Sequence, residues 1–110
     1  IDLPWAAWLD SGDVGRYDML TAAPHHTLQL DADTVSGDPF SLLRDQLGES
    51  LVAVDNVPFA GGVLGYWGYD LAKRLITLPD VYQNDTSLPD MMVGFYDWSL
   101  VLDHQQQTAK

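Results

Sequence analysis

The 110-residue sequence has no cysteine, which excludes disulfides, thiol catalysis and thiolate zinc sites and is compatible with a reducing compartment. It is almost as poor in positive charge. Five Lys and Arg stand against 16 Asp and Glu, a formal net charge of -11 that is spread along the chain rather than gathered in a tail. Such a surface repels phosphate backbones and anionic lipid, so neither nucleic acid nor a membrane is expected as a partner. No apolar run approaches the roughly 20 residues of a membrane span, nothing at the N-terminus reads as a secretory leader, and a cytoplasmic location is expected. Nucleotide-binding glycine patterns are missing too. The stretch "GGVLGYWGYD" fits neither G-x-G-x-x-G nor G-x-x-x-x-G-K-[ST], although the chain has 9 glycines.

What is present is a globular composition, 46% hydrophobic and 19% charged, sized for one domain over residues 1–110. "PWAAWLDSG" and "RYDMLTAAP" are apolar runs closed by turn formers, and they read as two strands of a hairpin joined through Gly12 to Gly15. "HHTLQLDAD" alternates, with Leu28 and Leu30 on one face, and predicts a half-buried strand whose two histidines diverge. In "DPFSLLRDQLG", Asp38 is placed as an N-cap, Pro39 opens the helix, Phe40, Leu43 and Leu47 recur at helical spacing, and Gly48 stops it. "SLVAVDNVPF" fits a short strand or an extended linker. Val63 to Trp67 reads as a strand buried on both faces, followed by a short helix "LAKRLI" capped by Asp70. "TLPDVYQNDTSLPD" reads as a surface loop, and "MMVGFYDWSLVLDH" as the longest strand. Strands without regular βαβ alternation, and about two helices, predict an α+β fold around a largely antiparallel sheet.

The candidate chemistry is sparse. Gly61, Gly62, Gly65 and Gly68 beside Tyr66, Trp67 and Tyr69 fit a steric role, small residues admitting another backbone or a ring, better than a phosphate cradle. His25 and His26 lack a third ligand, so no metal is assigned. Asp103 and His104 have no activated nucleophile placed beside them and fit strand-end polar residues. The turn "LDSGDVGRYD" gathers more: Ser11 could accept from or donate to a polar ligand, Arg16 could pair with a carboxylate, and Tyr17 could flank an aromatic body. From the residues alone, an ordinary hairpin with an Arg–Asp surface pair remains the preferred reading.

In this order, "LPWAAWLDSG", "GRYDMLTAAP", "PFAGGVLGYWGYDLAKRL" and "LPDMMVGFYDWSLVLDH" resemble the N-terminal region of the aminodeoxychorismate synthase component I family, the para-aminobenzoate synthase large subunits. They are similar, less closely, to anthranilate synthase component I, so the alternatives are an N-terminal regulatory domain of that enzyme or a stand-alone acidic interaction module. The resemblance implies an N-terminal, non-catalytic part of a larger two-layer enzyme of folate biosynthesis that aminates chorismate to 4-amino-4-deoxychorismate with glutamine-derived ammonia. It implies partners in the chain's own C-terminal chorismate-binding domain and in a glutamine amidotransferase subunit, with magnesium in that C-terminal domain and no catalytic residue here. It also implies part of a tryptophan pocket, carried by position onto Ser11, Val14, Gly15, Arg16 and Tyr17. The start at Ile1 without Met, and the stop at Lys110 just after a strand pattern, fit a piece of a longer polypeptide. Such a piece is expected to be inactive alone and to self-associate through the apolar surface it leaves bare.

Overall fold

The computed structural model describes residues 2–31, 37–49, 57–76 and 87–110. Two antiparallel sheets carry the fold. In the first, β1 (Ala7–Leu9), β2 (Tyr17–Thr21), β6 (Leu100–Asp103) and β7 (Thr108–Ala109) lie in the order β1-β2-β6-β7; in the second, β3 (His26–Leu30), β4 (Gly62–Trp67) and β5 (Met91–Tyr96) lie in the order β3-β5-β4. Among the described residues one α-helix, α1 (Pro39–Leu47), and a 3-10 helix over Tyr69–Arg74 accompany the sheets, in line with the predicted α+β class.

The local expectations hold where their causes are local. The hairpin β1–β2 forms with Ala7 opposite Thr21 and Leu9 opposite Met19. The carboxylate of Asp38 accepts from the Phe40 amide at 2.9 Å and the Ser41 hydroxyl at 2.9 Å, so two donors at the start of α1 are satisfied, and Gly48 ends the helix at φ 67°. The buried face of α1 differs from the expected one. Leu43 and Pro39 are buried and Leu42 packs beside them, while Phe40 and Leu47 are largely exposed, because the apolar stripe the sheet can reach is narrower than the sequence spacing.

Three further expectations change. The run "MMVGFYDWSLVLDH" is two strands: Asp97 to Ser99 break it, and the chain passes from the middle of the second sheet into the first. Among the described residues strand β4 pairs only with β5 and lies at the sheet edge, and Tyr66 and Trp67 are exposed instead of buried on both faces. The helix after it begins at Tyr69 and is 3-10 in character; its cap position is Gly68, and Asp70 lies inside the first turn. Residues 50–56 of the possible strand or linker "SLVAVDNVPF" and residues 77–86 of the loop "TLPDVYQNDTSLPD" lie outside the described residues.

The main core sits between the second sheet and the helices. Met91, Val93 and Phe95 of the central strand β5 pack with Leu30, Leu43 and Leu71, and Leu28, Leu42 and Val63 border them. Burial of this kind is worth ~1.5–3 kcal/mol per large side chain. The steric reading of the glycines agrees with the geometry at three positions: a Cβ on Gly61 would stand 2.8 Å from the Tyr96 carbonyl oxygen. A Cβ on Gly65 would collide with the Met92 carbonyl and stand 2.6 Å from Val93 Cα; one on Gly68 would stand 2.9 Å from the Asp90 carbonyl, which accepts from the Gly68 amide at 2.7 Å.

The other face of the second sheet meets the first. Ala7, Leu9, Met19 and Thr21 line a gap with Phe59 and Leu64 whose volume, about 10 Å³, is about that of one water. Hydrogen bonds tie the same boundary: Tyr96 Oη donates to the Trp5 carbonyl at 2.9 Å, Thr21 Oγ1 to the Trp98 carbonyl at 2.8 Å, and Ser99 Oγ to the Phe59 carbonyl. Burial without a charged partner raises the Tyr96 phenol, which therefore stays a donor.

Candidate functional site

The turn between β1 and β2 is built from side chain to backbone. Asp10 Oδ1 accepts from the Gly12 amide at 2.6 Å, Gly12 and Asp13 both take positive φ near 60°, and the Val14 amide closes back on the Ser11 carbonyl at 3.3 Å. This places Ser11, Val14, Gly15, Arg16 and Tyr17 on one short segment. They do not share one environment. Val14 is 94% exposed, Ser11 and Arg16 are half-buried, and Tyr17 is the first residue of β2. Gly15 has a steric reason to be glycine, since a Cβ there would stand 2.7 Å from Ser11 Cβ.

Ser11 is held by a residue that sequence reasoning did not single out. Its amide and its hydroxyl both donate to Asp18 Oδ1, each at 2.8 Å, and the hydroxyl also lies 3.3 Å from the Gly15 carbonyl. The second oxygen of Asp18 meets His104 Nε2 at 2.9 Å, and the His104 amide donates to the Arg16 carbonyl at 2.9 Å. Asp18 is buried within this arrangement. The two donors from Ser11, the backbone one foremost, hold its carboxyl below the usual range, with His104 adding to the effect.

Arg16 forms the second half of the cluster. Nε approaches Asp103 Oδ1 at 3.1 Å and Oδ2 at 3.0 Å, and Nη2 approaches Oδ2 at 2.6 Å, a forked pairing across β2 and β6. Its guanidinium carbon also lies 4.8 Å from the centroid of the Tyr17 ring. Asp103 further accepts from the Gln105 and Gln106 amides at 3.0 Å each. Arg16 first, then those amides, lower the Asp103 carboxyl to about 2, and the same pairing raises Arg16. The expected surface pair at the hairpin is thus a cross-strand pair joining residues 87 apart in sequence.

Asp103 and His104 therefore serve two different partners. A serine does stand near His104, but Asp18 lies between them and accepts from both, so nothing in the arrangement withdraws the Ser11 proton to make a nucleophile. What the site can do is present fixed polar groups on a rigid turn. No local signal marks Asp18 as their organiser; only the pairing of Asp18 with Leu102, which sets His104 beside it, brings the cluster together. His25 and His26 are exposed beside Phe95, with ring centroids 6.4 and 5.4 Å away. Among the described residues no three of His, Cys, Asp or Glu stand together as metal ligands. No described helix is long and apolar enough to cross a membrane.

No protein-family model matches the chain. It is similar to aminodeoxychorismate synthase component 1 of Salmonella typhimurium, 41% identical over 97% of this chain and 28% of that protein, and to the protein of the same name from Escherichia coli, 37% identical over the same shares. Among solved structures, anthranilate synthase component I from Streptococcus pneumoniae superposes with a TM-score of 0.74, covering 99% of this chain and 26% of that one at 21% identity. The chain thus spans little more than a quarter of the length of the curated relatives it matches.

Proposed function

The chain is homologous to the N-terminal region of aminodeoxychorismate synthase component 1, and from that premise we propose that it is the N-terminal, non-catalytic domain of a chorismate-aminating enzyme. The carrying observation is the 41% identity over 97% of the chain. The parent enzyme would convert chorismate and glutamine-derived ammonia to 4-amino-4-deoxychorismate, on the way to para-aminobenzoate. Its catalytic groups and magnesium would belong to a C-terminal domain, and ammonia would come from a glutamine amidotransferase subunit. Both curated relatives carry the designation component 1, which supports a partner subunit.

In this reading the two-sheet unit supports the catalytic domain, and the turn from Ser11 to Tyr17 contributes part of a tryptophan pocket. A turn whose polar groups are already ordered loses little entropy on meeting a ligand, which suits such a role. Half a pocket alone binds weakly, because most of an indole ring would stay in water. Two measurements test the reading. The full-length polypeptide should release 4-amino-4-deoxychorismate rather than anthranilate, and anthranilate as the product would move it to the tryptophan branch. Tryptophan titrated into that polypeptide should bind more weakly after Ser11→Ala; equal affinity removes Ser11 from the pocket.

A further inference from the structure

The strand register of the first sheet sorts its residues onto two sides. Trp8 stands opposite Leu20, and Leu20 opposite Leu100, so these three share one row across β1, β2 and β6. Two residues further along β6, Leu102 stands opposite Ala109 of β7 and falls on the same side. The alternate positions Ala7, Leu9, Met19 and Thr21 line the gap against Phe59 and Leu64, so the row of Trp8 lies on the outer side. An antiparallel sheet with water on its outer side carries polar residues there. This one carries Trp8, 64% exposed, and Leu100, 39% exposed, with Leu20 and Leu102 half-buried beside them. The remaining strand position on that side is Asp18, whose carboxylate is engaged by Ser11 and His104. In a chain with 16 acidic residues, a sheet side that presents no unengaged one is suited to apolar contact.

We infer that the outer side of the first sheet, the row of Trp8, Leu20 and Leu100 with Leu102 and Ala109, is the surface against which the rest of the parent polypeptide packs. The inference rests on the proposed parent enzyme and names the face by which this region supports it. Length argues for that occupant. The chain spans 28% of each curated relative, and the same fold occupies 26% of the chain of the solved anthranilate synthase component I, so nearly three quarters of those polypeptides lies outside it. The chemistry of the face argues the same way. Permanent interfaces resemble a core cut in two, whereas those of separable subunits are about as polar as ordinary surface, and this row holds no charged side chain.

The test uses the full-length polypeptide with p-benzoylphenylalanine, a photoreactive residue, in place of Trp8 or, separately, of Leu100. Each protein is irradiated alone and with the amidotransferase subunit, and the products are mapped by mass spectrometry. Both positions should cross-link within one chain to a segment that follows Lys110. A cross-link to a second copy, one to the amidotransferase subunit alone, or none at all overturns the inference. Hydrogen–deuterium exchange gives a reading that does not depend on the label. Leu100→Asp should speed exchange in the cross-linked segment at least about tenfold, the scale set by losing one buried leucine contact, and leave exchange in β5 unchanged. Unchanged exchange in that segment overturns the inference. Trp8→Ser repeats the measurement if Leu100→Asp does not fold, since Trp8 is the more exposed of the two. The product formed from chorismate reports on the enzyme separately. The expected product without an intrachain cross-link defeats the docking face alone, and the cross-link without that product defeats the chorismate-aminating reading alone.

Discussion

The two sheets are held together by different forces. The second sheet has its central strand buried along nearly its whole length, with Met91 and Val93 wholly inaccessible and glycines letting backbones approach. The first sheet has short strands, an exposed Trp8, and at one end a network of Ser11, Arg16, Asp18, Asp103 and His104. Packing tolerates neither added nor lost volume, whereas a polar network tolerates volume change but depends on charge and on direction. The contrast teaches where function can reside: the dry sheet acts as a scaffold, and the polar end of the other keeps groups that a ligand can read.

Substitutions should separate the two regimes by size and kind of effect. Gly65→Val should cost most, about 3 kcal/mol or more in urea unfolding, because its Cβ would meet the backbone of Met92 and Val93, which cannot shift without breaking the ladder. Val93→Ala, at the centre of the core, should cost about 2–3 kcal/mol and be insensitive to salt. A loss of less than about 0.5 kcal/mol in either case would mean that the second sheet is not the scaffold.

Acid should act on the first sheet instead. Asp103 sits at about 2 in the fold against an ordinary 3.8, so it is ionised and paired where the unfolded chain would begin to take up a proton. Its contribution is therefore complete above about pH 4 and is lost as pH falls toward 2. Arg16→Ala should move the acid-unfolding midpoint, followed by Trp fluorescence, to higher pH. An unchanged midpoint would show that the forked pair does not hold the strands. The smallest effect on stability is expected from Trp8→Ser, within about 0.5 kcal/mol, since Trp8 is 64% exposed. The same change should reduce self-association in light scattering; a clean monomer before and after would remove Trp8 as an adhesive surface.

How much was legible in the sequence follows from the distance over which each feature is decided. The hairpin and α1 were legible because turn formers, the Asp38 cap, Pro39 and Gly48 act within a few residues. The glycines could be read as steric because no phosphate pattern fitted them. The division into two sheets was not legible, because the apolar run from Met91 to Leu102 continues across the break and only "DWS" interrupts it. At the candidate site the turn itself was visible, with Ser11 and Arg16 in it. Their partners were not, since the pairing of β2 with β6 spans most of the chain and leaves no periodic trace.

That break has a consequence for how the molecule comes into being. Of the strand pairings among the described residues, only β1–β2 can form without residues 91–109; every other described ladder has β5 or β6 as a member. A ribosome delivers the chain from its N-terminus, so the early strands emerge before the ones that complete them. Contacts this far apart in sequence also close slowly. While residues 1–90 are being made, this region is thus a short hairpin followed by strands that have not met their described partners, and both sheets become available almost together, once residues 91–109 have left the exit tunnel.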